Sequence, residues 1–73
     1  MRFGASRSQL YDAQKTARVR WELASDIWSD GSRRQFEETV WQPLDQMVTD
    51  ALRGIDQLAV LFTQIRQECE YQP

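Results

Sequence analysis

Apolar positions in the first part of the chain run Leu10, Ala13, Ala17, Trp21, Ala24, Trp28, at gaps of three and four residues. That spacing returns to one side of an α-helix, whereas a strand would alternate with a period of two. Alanine fills half of these positions, so the face hides little area but lets another helix come close. Val19, Leu23 and Ile27, four apart, add a second stripe beside it. Further on, the same rhythm runs Phe36, Val40, Leu44, Met47, Ala51, Ile55, Leu58, Phe62, Ile65, Cys69. Ten positions in register predict one long amphipathic helix. Trp41, Val48, Leu52, Ala59 and Leu61 widen its apolar face, enough to meet more than one neighbouring helix.

Ser29-Asp30-Gly31-Ser32 separates the two registers. Glycine takes positive φ freely, and Asp and Ser cap helices, so these four residues suit a turn. The spacing predicts a first helix over about 6–28, a turn at 29–32 and a second helix over about 32–69. A turn this short makes the helices antiparallel. The expected fold is all-α: one domain over 1–73, an antiparallel two-helix hairpin that pairs into a four-helix bundle. Ser32 with Gln35 reads as a capping box, with Asp30 as the other candidate cap. Pro43 predicts a kink near residues 39–43, because its ring meets the carbonyl of Thr39. Gly54 reads as a point of close helix–helix approach.

The two arms are unequal. Arm one reaches roughly 35 Å and arm two roughly 57 Å at the helical rise. Folding back between Asp30 and Gly31 sets Trp21 near residue 40 and Leu10 near residue 51. Beyond residue 55 the second arm has no intrachain partner, yet it keeps Leu58, Val60, Leu61, Phe62 and Ile65. Exposing such side chains forgoes roughly 1.5–3 kcal/mol each, and contiguous apolar patches mark interaction sites. Ile55, Leu58, Leu61, Phe62 and Ile65 are therefore the expected partner interface.

Length sharpens this expectation. The 73 residues stand near the lower limit for a self-sufficient core, where disulfides, metals or oligomerisation usually help. One cysteine, Cys69, leaves no internal disulfide, and the absence of histidine removes the commonest zinc ligand and general base. Oligomerisation is the device that remains.

Charge is unevenly spread. Residues 1–20 hold five basic side chains against Asp12 alone, while residues 21–50 hold seven acids against Arg33 and Arg34. The simplest reading is a pair of helices that attract each other. With a net charge of -2, the chain is not expected to bind nucleic acid, where a basic patch supplies the affinity. No apolar run is long enough for membrane insertion, and the first residues show no signal-peptide pattern. Cytoplasmic synthesis is expected, and a thiol between Glu68 and Glu70 fits a reducing compartment.

No phosphate-binding glycine loop, CxxC pair or nucleophile elbow occurs. Glu37 and Glu38 sit near a helix start, where the dipole favours acids, and no histidine accompanies them to form a bundle metal site. No enzyme activity, cofactor, metal or small-molecule substrate is expected. The three tryptophans all lie within residues 21–41. Trp21 and Trp28 share a face, and Trp41 is expected opposite Trp21, so packing at the closed end of the hairpin is the first reading. A recognition surface is the second, since Trp is frequent at binding hot spots.

Trp28-Ser29-Asp30-Gly31-Ser32, followed by Phe36 and then Trp41, resembles the WXG family of small helical hairpins, the substrates of type VII (ESX-type) secretion. There a Trp-x-Gly turn joins two helices and an aromatic follows shortly into the second. Here Asp30 stands two after Trp28, with Gly31 one place later. The resemblance implies a turn motif of Trp28, Asp30, Gly31, Phe36 and Trp41, and pairing of hairpins into homo- or heterodimers with a second small helical protein. The family's export signal, a Tyr with an acid four residues later, has no counterpart: Tyr11 meets Lys15 at that spacing, and Tyr71 is followed by Gln72 and Pro73. The implied role is a secreted substrate, exported without a signal peptide, or an export-incompetent partner subunit. The alternative is a small structural subunit of a larger assembly, bound through the apolar face of residues 55–69.

Overall fold

The computed structural model describes residues 3–28 and 30–70, all but the side chain of Phe3. Among these residues there is no strand. Helix α1 spans Phe3–Ile27, α2 spans Ser32–Phe36, a π-helical turn spans Glu37–Trp41, and α3 spans Gln42–Glu70. The last three run end to end as one helix of 39 residues. Apolar spacing at three and four residues thus produced helices in both halves, as the period requires. Helix α1 begins at Phe3, not near residue 6 as expected, and Gly4 lies inside it.

The turn is built around one carboxylate. Asp30 Oδ1 accepts hydrogen bonds from the backbone N–H of Ser32 at 3.0 Å, from Trp28 Nε1 at 2.9 Å and from the Ser32 hydroxyl. Asp30 therefore supplies the acceptor at the start of α2, and the expected Ser32–Gln35 capping box is not what closes it. Gly31 has φ −66 and ψ −17. Its backbone is right-handed, so the turn does not draw on glycine's freedom at positive φ, contrary to expectation. Ser29 lies outside the described residues.

Pro43 explains the π turn. It offers no N–H, and in a regular α-helix its ring would strike the carbonyl of Thr39. The chain widens by one residue just upstream: Gln42 N–H bonds to the carbonyl of Glu37, five residues back. The Thr39 hydroxyl donates to the Gln35 carbonyl at 2.6 Å, which keeps that carbonyl partnered next to the widened turn. The expected disturbance near residues 39–43 therefore takes this form, and the helix passes through it.

Cross-helix contacts pair low numbers with high ones. Arg7 meets Asp56, Gln14 meets Asp45 and Thr49, Arg18 meets Asp45, and Trp21 meets Trp41. Continuing this order sets the start of α1 opposite roughly residue 60, one residue back for each residue forward. Helix α3 therefore runs past α1 only toward its C-terminal end, later than the expected residue 56, because α1 is longer at its N-terminal end.

The molecule measures 67 × 19 × 10 Å between its extreme Cα positions. Among the described residues two helices lie side by side with nothing stacked on either face, so the chain is one layer thick, 10 Å in its smallest extent. Domains bury apolar surface between two layers, and here the second layer is lacking. Leu52, 7% exposed, is the sole buried hydrophobic side chain among the described residues. Gly54 does not mark a close approach as expected: a Cβ placed there meets nothing within 4 Å.

Candidate protein-interaction surface

Four rings gather at the turn end of the layer. Trp21 stacks on Trp41 with centroids 5.7 Å apart and planes 21° from parallel. It also lies 5.5 Å from Phe36 and 6.3 Å from Trp28, the latter edge-on at 78°. Trp28 and Phe36 are 5.6 Å apart. Offset and edge-on rings at these separations are the favoured arrangements. Two of the indole N–H groups have acceptors: Trp21 Nε1 donates to Glu37 Oε1 at 3.4 Å, and Trp28 Nε1 to Asp30. The structure thus brings together Trp28, Asp30, Phe36 and Trp41 of the expected turn motif. Gly31 follows Asp30 as backbone only. Trp21, which the motif omits, is the ring that touches all the others.

A polar cluster holds the middle of the layer. The amide of Gln14, 6% exposed, donates to Thr49 Oγ1 at 2.9 Å and to both the backbone oxygen and Oδ1 of Asp45 at 3.3 Å. Arg18 grips the same carboxylate through Nε at 2.9 Å and Nη2 at 3.0 Å. Nearer the open end, Arg7 makes a second two-pronged pair with Asp56 at 2.6 and 3.2 Å. These bonds hold the Asp45 and Asp56 carboxyls below the ordinary carboxylate range, with partial desolvation opposing. Asp30 is lowered by the bonds from Ser32 and Trp28. The uneven charge of the chain is thus spent partly between its own helices. Nothing in the apolar pattern pointed to Gln14; its position four after Leu10 and seven before Trp21, on the α1 face, was the available signal.

What the helices leave outside defines the candidate surface. On the α3 side the contact with α1 runs through Trp41, Asp45, Thr49, Leu52 and Asp56. The ten-position apolar register instead runs through Leu44, Met47, Ala51, Ile55 and Leu58. The two series differ by one position, about 100° around the helix. Helix α1 therefore sits on one shoulder of the apolar face, and most of that face stays in solvent. Of the expected interface, Leu58, Leu61, Phe62 and Ile65 are exposed and Ile55 is half-buried. Phe36, Val40, Leu44, Met47 and Val60 are exposed as well, extending the surface in both directions.

Beside this stripe a groove runs between the helices. One stretch is lined by Leu10, Ala13, Ala17, Trp41, Leu44 and Val48, and its continuation by Ala13, Ala17, Trp21, Ala24 and Trp41. The shared residues make it one continuous trough. The described residues hold no cluster of His, Cys, Asp and Glu able to bind a metal ion, and no described helix is long and apolar enough to cross a membrane. Comparison of the chain with protein-family models, with curated proteins and with solved structures finds no match.

Proposed function

We infer that this chain is a non-enzymatic protein–protein interaction module: a helical hairpin that completes its core by pairing with another helical chain, the four-helix bundle being the economical product. The observation that carries this reading is the ratio of its surfaces. A layer one helix thick has one buried hydrophobic side chain among its described residues, while Leu44, Met47, Leu58, Leu61 and Ile65 all stand exposed on its long helix. An apolar surface of this extent is the mark of an interaction site. The aromatic turn with Trp28, Phe36 and Trp41 adds the resemblance to WXG-type hairpins, and with it a role as a type VII secretion substrate or its partner subunit. A secretion assay in a type VII-competent host would test that role.

Light scattering on the purified chain and on a Leu58→Asp, Ile65→Asp variant tests the reading. Wild type is expected to exceed its monomer mass of 8.6 kDa, and the variant to fall back toward it, since an unpaired buried charge is costly. A wild-type chain that stays a folded monomer contradicts it. The second reading, a structural subunit of a larger assembly, draws on the apolar end of α3 beyond α1, where Leu61 and Ile65 are exposed. In that case the chain aggregates unless its larger partner is co-expressed.

A further inference from the structure

The open face has two unlike halves. Along α1 it is a wall of small side chains, Ala13, Ala17 and Ala24. Along α3 it is a stripe of large ones, with Leu44 50% and Met47 68% exposed, continued by Leu58. A wall of alanines has room for a helix to approach to the 8–10 Å at which helices pack, but it contributes almost nothing to fill the space. The large stripe has the opposite need. Interior-like density requires large side chains to face small ones, and this chain carries one complete set of each on the same face.

We propose that the partner is a second copy of this chain, docked face to face about a two-fold axis, so that Leu44 and Met47 of each copy lie along the alanine wall of the other. This rests on the interaction reading above and names its partner. A two-fold contact satisfies both halves at once and closes without leaving a free face for a third copy. The area suffices: a face as long as α1 and 19 Å wide offers about 700 Å² per copy, close to the ~800 Å² per partner of a standard stable interface. Charge permits it too. The stripe positions carry no ionised group, and the groove beside them holds one cation, Arg20, and one carboxylate, Asp45, which is already paired with Arg18, so identical faces meet without a block of like charge.

The test uses two complementary variants of the full chain. One fills the wall, Ala13→Leu with Ala24→Leu, at positions exposed in the single chain. The other shaves the stripe, Leu44→Ala with Met47→Ala. Native mass spectrometry and sedimentation velocity are run on wild type, on each variant and on their equimolar mixture. Wild type is expected to be a dimer. Each variant alone should self-associate at least roughly tenfold more weakly, by overpacking or by lost contact. The mixture should form a one-to-one heterodimer, because the filled wall receives the shaved stripe while the intact stripe meets the intact wall. A filled-wall variant that dimerises as wild type does, or a mixture that fails to pair, overturns the proposal. A wild-type chain that is monomeric and unfolded by itself overturns self-pairing and leaves the interaction reading standing. One that is monomeric and folded overturns both.

Discussion

Trp21 lies flat against Trp41, 5.7 Å between centroids, and through that contact ties the C-terminal part of α1 to the end of the π turn. No other ring in the cluster contacts three more. Replacing Trp21 with Ala should therefore cost about 3 kcal/mol, the low end for a large aromatic truncation because the ring is half-buried. Trp28→Ala should cost less, since Trp28 meets only two of the rings, Trp21 and Phe36, and sits at the turn. Thermal melts by circular dichroism rank the two, and a larger loss for Trp28 would displace Trp21 from the centre of the cluster.

Asp45 accepts from both Gln14 and Arg18, so its removal strands the Arg18 guanidinium and takes one acceptor from Gln14, which keeps Thr49 Oγ1 and the backbone oxygen of residue 45. Asp45→Ala should destabilise the chain by about 0.5–1.5 kcal/mol, the net worth of a hydrogen bond. In Gln14→Leu the bond to Asp45 is already absent, so Asp45→Ala should cost less there than in wild type. A double-mutant cycle in denaturant unfolding measures this; strictly additive losses would mean that the two side chains do not act together.

Asp45, Asp56 and Asp30 are all held below the usual carboxylate range, by Arg18, by Arg7 and by Ser32 with Trp28 respectively. A carboxylate whose folded-state pKa lies below its unfolded value stabilises the fold fully above about pH 4, and that contribution is lost as the pH falls through the folded-state value. The melting temperature should therefore hold on the neutral side and fall on acidification below about pH 4. Asp56→Asn should flatten that fall. An unchanged acid limb in this variant would show that the Arg7 pair contributes nothing to it.

Pro43 in a regular helix interior would cost about 3 kcal/mol relative to alanine. Here the π turn at Glu37–Trp41 already removes the clash. Pro43→Ala should thus gain well under that amount, because reverting to a regular α-turn would rotate α3 and pull Asp45 away from Gln14. Melting measurements give the gain. A full recovery would show that the widened turn relieves nothing.

The helices and their order were legible because a period of three and four residues has one physical meaning. The opposition of Trp21 and Trp41 followed from the turn centre and the helical rise alone. Three features were not legible, each for a stated reason. Gln14 reads as surface in any polarity pattern, and only its three acceptors make its burial tolerable. Gly31 suggested a left-handed residue, but Asp30 draws the next residues into a right-handed start of α2, so the glycine's freedom goes unused. Leu52 stood as a flank of the apolar face and is instead its one buried hydrophobic side chain, because α1 packs on the shoulder marked by Trp41, Asp45 and Thr49. The centre of the face, from Leu44 to Leu58, is left for something else. The interface expected at residues 55–69 begins later than the exposed apolar stripe, which starts at Phe36 and passes through Val40, Leu44 and Met47.

Helicity measured by far-ultraviolet circular dichroism across a dilution series, with mass followed in parallel by sedimentation, tests most directly whether this layer needs a second one. The isolated chain buries too little to order its residues alone, so helicity should fall as dilution drives the mass from dimer to monomer. Full helicity maintained at the monomer mass of 8.6 kDa would contradict that account.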